Sequence, residues 1–393
     1  MSYLNESYQT SADEVLCSYR LEPVPGKDIR AAVEELCQKA SVDVIGGAAV
    51  KDLIARAYAL KDNTVKVAFP AALFEDGNIS QLLTLVAGKI FGLEKIGSLR
   101  LQDIRFPAWW LKTFRGPAYG SAVIEKIFET PDRPLVSSAI SPEVGLDLNA
   151  YAVKAEASFM GGCDIVRDSP QLHNMKSNSF EARVNAMLAL AADCANKCGM
   201  PKLYVPNVSG PGDVVLKRID HVLKKGGKGV VICFQSVGFG VLQMVRNQFP
   251  ELIIYGDRTS HAAMARDKRQ GIAMTVLGKL ARVAGADLVE IGSITGDMVE
   301  TEAMVVQLHT NLLADLFRTR FPEQRFDQDW HGLNNSLPVV SGGISRDDIR
   351  DLRQRFGNHL VLQFVRSMTG QEKVTKQHVE KFLDELGPLV PLV

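Results

Sequence analysis

The chain has 393 residues, 46% of them hydrophobic and 23% charged, enough for two domains and a large core. Its formal net charge is zero, which excludes the basic surplus that electrostatic binding to nucleic acid or to an anionic membrane requires. The six scattered cysteines, without CxxC spacing, read as reduced core residues rather than a zinc cluster. A polar N-terminus and the lack of an apolar run of about eighteen residues predict neither signal peptide nor membrane span and place the protein in the cytoplasm.

Residues 14–22 alternate as a half-buried strand does, and Pro23, Pro25 and Gly26 end it. Asp28 to Lys39 is amphipathic, with Ile29, Ala32, Val33 and Leu36 on one face and Asp28 placed as the cap. Asn63 to Phe69 has strand periodicity, and Ile79 to Phe91 has helical periodicity. Together these predict a small α+β N-terminal domain of the ferredoxin-like kind over residues 1–125, closing with the breaker-rich Gly116–Gly120.

From about residue 131 the rhythm changes. Eight short apolar runs alternate with amphipathic stretches: Leu135–Ile140, Gly162–Val166, Lys202–Val205, Gly229–Phe234, Leu252–Tyr255, Leu288–Ile291, Leu337–Val340 and Leu360–Phe364. Continuous rather than alternating runs suit strands covered on both faces. Eight such units predict an α/β fold, a (β/α)8 TIM barrel over residues 126–393 with a C-terminal helical extension. A doubly wound open sheet is the alternative.

In such a barrel the reacting groups follow the strands. Ser341-Gly342-Gly343, with Ser345 placed to cap a following helix, bares consecutive N–H groups and forms a candidate phosphate cradle to which Arg258 and Arg366 would add charge. The acids Asp168, Asp257, Glu290 and Asp297 follow the second, fifth and sixth runs. They would either hold a divalent cation or surround Arg167 as an internal cation, the favoured reading, because a guanidinium repels a metal. His261 is the sole histidine of the seven at a predicted strand end. No nucleophile elbow, Walker loop, zinc-protease helix or dinucleotide fingerprint is present.

Several stretches resemble the RuBisCO large-subunit family: Leu99–Pro107, Lys112–Pro117, Gly161-Gly162-x-Asp164, His261-Ala262, Asp327–Trp330, Leu337–Gly343 and Val361–Phe364, in the family's order and spacing. The resemblance implies the two-domain fold above. It also implies a homodimer whose active sites lie between one chain's barrel and the other's N-terminal domain. In the family, a lysine after the second strand is carbamylated and binds magnesium with an Asp and a Glu. Those places here are Arg167, Ser169 and Pro170, and a guanidinium does not carbamylate because it stays protonated. The first-strand lysines are replaced around Ser141-Pro142-Glu143, the loop-six lysine by Asp297, two histidines by Asp257 and Glu290, and the strand-eight glycines by Arg366-Ser367. Arg258, His261, Ser341, Gly342 and Gly343 remain where the family binds one phosphate. Lys89 aligns where enolase-type RuBisCO-like proteins carry their proton-abstracting lysine; the alternative is a solvated surface lysine, or an ion-pair partner for one of the new acids.

The chain therefore reads as a form IV, RuBisCO-like protein without carboxylase activity. The expected reaction is enolisation or isomerisation of a small phosphorylated or carboxylated sugar-like substrate. Lys89 would be the base, Arg167 the electrophile, and Glu143, Asp257 or Glu290 the proton relay. Arg258, His261, Ser341, Gly342, Gly343, Arg366 and Ser367 would hold the anion. No cofactor is expected, and Mg2+ only at a site rebuilt on Asp168, Asp257 and Glu290. The alternatives are a non-catalytic scaffold or metabolite-binding protein, and a metal enzyme using that rebuilt site. A small anionic metabolite and a second copy of the chain are the expected partners, with no nucleic acid and no membrane.

Overall fold

The computed structural model describes residues 2–43, 48–130, 132–296 and 301–386; Asp297 lies outside them. In chain order the early strands are Val15–Pro23 (β1), Arg56–Lys61 (β2), Thr64–Phe69 (β3) and Ile96–Arg105 (β4). Next come Leu135–Ala139 (β5), Ile165–Arg167 (β6), Leu203–Val205 (β7), Gly229–Cys233 (β8) and Ile253–Asp257 (β9). The remainder are Gly271–Ile272 (β10), Leu288–Gly292 (β11), Leu316–Phe317 (β12), Gln328–Asp329 (β13), Leu337–Val340 (β14) and Val361–Phe364 (β15).

The chain forms two compact units, one from residues 1–116, 260–284 and 314–334 and one from 117–259, 285–313 and 335–393. The first is built on a five-stranded sheet in the order β10-β4-β1-β3-β2. Its β1 is buried on both faces over residues 15–19 rather than half-buried; later chain returns to this sheet, with Phe326 packed on Leu16. The helix Met274–Ala284 packs on β4, where the buried Lys279 Nζ donates to Asp103 Oδ1 at 2.7 Å. The helix Ile29–Ala40 is capped by Asp28, whose carboxylate accepts the Ala31 N–H. The helix expected to reach Phe91 stops at Ala87; Gly88, with ψ of −127°, turns the chain out of it, and Lys89–Gly92 forms a separate 3-10 turn.

The second unit is the barrel. All eight apolar runs are parallel strands, in the order β7-β6-β5-β15-β14-β11-β9-β8. The ring closes just past the end of β7, where the Val231 N–H donates to Pro206 O at 2.8 Å and the Val208 N–H to Val231 O at 3.1 Å. This closure settles the barrel against the open sheet. The interior is filled by Leu135, Ile165, Leu203, Val231, Ile253, Leu288, Leu337 and Val361, the alternate residues of each strand, as a small barrel requires. No helix of the described residues is long and apolar enough to cross a membrane.

The Gly161–Asp164 stretch anchors the opposite end of the strands. Asp164 accepts two bonds from Arg133, at 2.7 and 2.8 Å, and one from the Val136 N–H, so one carboxylate joins the starts of β5 and β6. Gly161 lets the helix Lys376–Leu383 dock, since a Cβ there would lie 2.4 Å from Val379 Cβ. G161A is therefore expected to cost about 1–3 kcal/mol by overpacking. In urea denaturation, G161A combined with V379A should lose less than the two single losses summed; simple additivity would contradict this packing.

Candidate active site

Side chains alternate along a strand, and that parity decides which charges meet. On β6, Ile165 faces the barrel interior and Val166 packs outward with Tyr151, Phe159 and Met187. Arg167 therefore points in and Asp168 points out. On β9, Tyr255 lies in the interior cluster, so Asp257, two residues on, also points in. Glu290 on β11 and Gln363 on β15 follow inward-facing Leu288 and Val361 in the same way.

These residues converge. Arg167 donates from one terminal nitrogen to Asp257 Oδ2 at 2.7 Å, and its other lies 3.4 Å from Glu290 Oε1. Its guanidinium carbon stands 4.9 Å from the centre of the Tyr255 ring, a cation–π contact. The Tyr255 hydroxyl donates to Gln363 Oε1, and this fixes the amide so that Gln363 Nε2 donates to Glu290 Oε1 at 3.2 Å. The Arg167 side chain is 4% exposed, Asp257 1% and Glu290 6%, so each charge must be balanced by its neighbours.

The two carboxylates are held unequally. Asp257 receives two short bonds, from Arg167 and from the Thr259 N–H, both 2.7 Å. Among the described residues Glu290 receives only long ones, from Gln363 at 3.2 Å and the Arg258 N–H at 3.3 Å, with the Tyr255 hydroxyl oxygen 3.4 Å away. Burial pushes the Asp257 carboxyl up, but Arg167 and Thr259 outweigh it and hold it below the usual range. Burial and the Asp257 charge together push Glu290 above its usual range. Burial also works against the Arg167 charge, yet Glu290, Asp257 and Tyr255 keep its pKa above normal. A carboxyl pair driven apart in proton affinity has the form of an acid and a base.

Asp168 does not join this cluster, which corrects its place in a rebuilt metal set. It lies on the outer face of the barrel, where Tyr151 (2.9 Å) and Tyr204 (2.6 Å) donate to one oxygen and Arg183 (3.0 Å) and the Asn207 N–H (3.1 Å) to the other. Among the described residues no group of three or more His, Cys, Asp or Glu is arranged to hold a metal. The carbamate–magnesium centre of the family that the chain resembles does not fit these residues either. Arg167 brings a fixed positive charge to the place of the carbamylated side chain, and Ser169 uses its hydroxyl to donate to Glu143.

The other expected residues divide between the units. Gly342 (φ 114°) and Gly343 (φ 87°) adopt conformations that favour glycine, and among the described residues no acceptor pairs with the N–H of either. The Ser345 N–H is already taken by Asp348 in a capping box, so a cradle here rests on the glycine amides rather than on the helix start. Ser367 donates to Ile344 O at 2.8 Å, which joins this loop to the one after β15; Arg366 beside it is exposed. The buried Lys154 ammonium donates to Ser141 O (2.7 Å), Thr369 O (2.9 Å) and Gln371 O (2.7 Å). It thereby ties the Glu143 loop to the Arg366–Ser367 loop. Lys89 and His261 belong to the first unit. Lys89 is exposed, with Nζ 2.8 Å from Asp43, whose carboxyl Lys39 and Lys89 hold down to about 2; His261 is buried at the head of the short helix His261–Ala265.

Tyr255 and Gln363 are the members of the cluster that the assignment of roles from sequence leaves out. The available signal was parity, since Tyr255 sits two residues before Asp257 inside an apolar run.

In the intact protein Asp257, held low, lends stability above its unfolded pKa and loses it as the pH falls. Glu290, held high, lends stability at low pH and loses it as the pH rises. R167M leaves two buried carboxylates without their cation, and should cost about 3–5 kcal/mol near neutrality. Both acids then hold protons more tightly folded than unfolded, so the deficit should be smaller at about pH 5 than at about pH 8. Urea midpoints at the two pH values measure this; an equal deficit at both would contradict the pairing.

Residues 2–110 match the family model described as ribulose bisphosphate carboxylase large chain, N-terminal domain, and residues 121–373 the one described as ribulose bisphosphate carboxylase large chain, catalytic domain. The chain is 31% identical to the ribulose bisphosphate carboxylase of Methanosarcina mazei and 33% identical to that of Methanosarcina barkeri. Each of those matches covers 92% of this chain and 87% of the relative. The dimeric archaeal Rubisco from Hyperthermus butylicus has the same fold, with a TM-score of 0.90 at 28% identity over 98% of this chain and 92% of that one. Octameric Rubisco from Pyrococcus horikoshii gives a TM-score of 0.89 at 27% identity over 98% and 91%. With both domains matched along nearly its whole length, the chain belongs to the ribulose bisphosphate carboxylase large-chain family.

Proposed function

We propose that this protein is a RuBisCO-like, form IV member of the family that does not carboxylate ribulose bisphosphate. Its barrel mouth enolises or isomerises a small phosphorylated or carboxylated sugar-like substrate without metal. The observation that carries this reading is Arg167, a permanent cation clamped between Asp257 and Glu290 where the resemblance puts the metal-binding carbamate. Among the described residues its Nε–H has no partner, so one donor of the guanidinium remains for a ligand oxygen.

In the proposed reaction a base removes the proton from the carbon next to the substrate carbonyl, and the electron pair moves to oxygen as an enolate. Arg167 stabilises that oxygen electrostatically. Glu290, the carboxyl pushed up, gives a proton to the former carbonyl carbon; the carbonyl reforms on the carbon that lost its proton, and the hydroxyl proton of that carbon passes to the enolate oxygen. Arg258, Ser341, Gly342, Gly343, Arg366 and Ser367 hold the anionic group. The base is Lys89 from a second copy in a homodimer; the Hyperthermus relative is dimeric, which supports self-association. The six cysteines are all free, which suits the reducing cytoplasm in which we place the protein.

A metabolite-binding scaffold is the second reading, favoured by the burial of every charge in the Arg167 cluster. Exchange of substrate protons in heavy water, over a panel of phosphorylated ketoses and keto acids, separates the two. The enzyme reading expects deuterium in at least one substrate, with the rate lowered about 100-fold or more in R167Q and abolished in K89A. No exchange above K89A across the panel would leave the scaffold. Fixation of labelled bicarbonate onto ribulose bisphosphate would contradict both.

A further inference from the structure

The geometry points to Gly292 as the positioning residue that shelves the Arg258 guanidinium beside the Ser341–Gly343 loop, so that Arg258 presents its donors to a phosphate or carboxylate group. This deepens the reading of that loop and Arg258 as an anion site, and rests on it. Gly292 ends β11 at an irregularity of the ladder: Glu290 pairs with Val339 but Gly292 with Val340, leaving Ile291 as an extra residue. Such bulges re-aim the chain beside functional sites. Here the bulge leaves Gly292 at φ +92°, where an L side chain is strained.

A Cβ on Gly292 would stand 3.0 Å from both terminal nitrogens of Arg258 and 3.1 Å from their carbon. Near-equal distances to three atoms of one plane mean that the missing methyl would meet the guanidinium face-on. A planar, weakly hydrated guanidinium is suited to lie against such a surface. The same glycine reaches the anion loop from its other side, because its carbonyl accepts the Ser341 N–H at 3.2 Å. Arg258 is itself tied to the strand by its own N–H, which donates to Glu290 Oε2. Gly292 thus lies between Ser341 and Arg258, its carbonyl on one and the place of a Cβ on the other. Gly296, at the far end of the same loop, presses on the anion loop too, its Cβ position 2.4 Å from Gly342 O.

The test is a titration with inorganic phosphate, followed by 31P NMR, of the intact protein and of G292A, R258A and the double variant. Circular dichroism and thermal melts check that each is folded. G292A should weaken phosphate binding roughly tenfold or more, as a displaced positioning group does, and R258A similarly. In the double variant the loss should match R258A alone, because Gly292 acts through Arg258; a purely structural glycine would give additive losses. Should G292A fail to fold, the comparison moves to the R258K background, where the compact ammonium leaves room for the added methyl. There G292A should leave the affinity of R258K unchanged. Wild-type affinity in G292A, additive losses, or a further tenfold loss in R258K would overturn the proposal. Absence of phosphate binding by the intact protein would overturn the anion-site reading beneath it, and this inference with it.

Discussion

A guanidinium taken wholly out of water must find its counter-charges inside the protein, and Arg167 finds them on β9 and β11. Removing a carboxylate or a guanidinium from water costs several kcal/mol even after relaxation, so the Arg167–Asp257–Glu290 triad stands because Arg167 and Asp257 balance each other while Glu290 is pushed toward its neutral form. That constraint propagates outward. Asp257 takes the two short bonds and stays an anion. Glu290 takes the long ones and leans toward its neutral form. Tyr255 supplies the face beneath the cation, and through Gln363 it fixes the direction from which Glu290 is approached.

The triad also explains which residues stand together at this barrel mouth. The closed sheet, the Asp164 anchor at the strand starts and the glycine loop after β14 frame it. Within that frame the charged residues are a linked set. An arginine on β6 requires acids opposite, and β9 and β11 supply them in Asp257 and Glu290. With the cation internal, a carboxylate at Ser169 would have no metal to bind, and the serine instead donates to Glu143. Asp168, by contrast, serves a separate purpose, closing a buried network with Tyr151, Tyr204 and Arg183 between the barrel wall and its helices.

Much of this was legible in the chain itself. The eight apolar runs marked the eight barrel strands because strands covered on both faces are continuously apolar, and the Asp28 cap marked its helix start. Period-two parity, applied from Arg167, separates it from Asp168 without any coordinates; grouping Asp168 with Asp257 and Glu290 by their closeness to strand ends overlooked it. Other features were not local. The burial of Leu16 on β1 involves Phe326, more than three hundred positions away. The bulge at Ile291 depends on how β11 pairs with β14, and no pattern within β11 announces it. Tyr255 was hidden because a tyrosine in an apolar run looks like core, and its ring is core while its hydroxyl belongs to the site.

The account turns on whether Arg167 permanently holds the place that a metal-bound carbamate would take. A crystal structure of the protein grown with magnesium and bicarbonate tests this most directly. The account predicts Arg167 within ion-pair distance of both Asp257 and Glu290, with no metal between them. A magnesium ion ligated by Asp257 and Glu290, with Arg167 turned away, would contradict it.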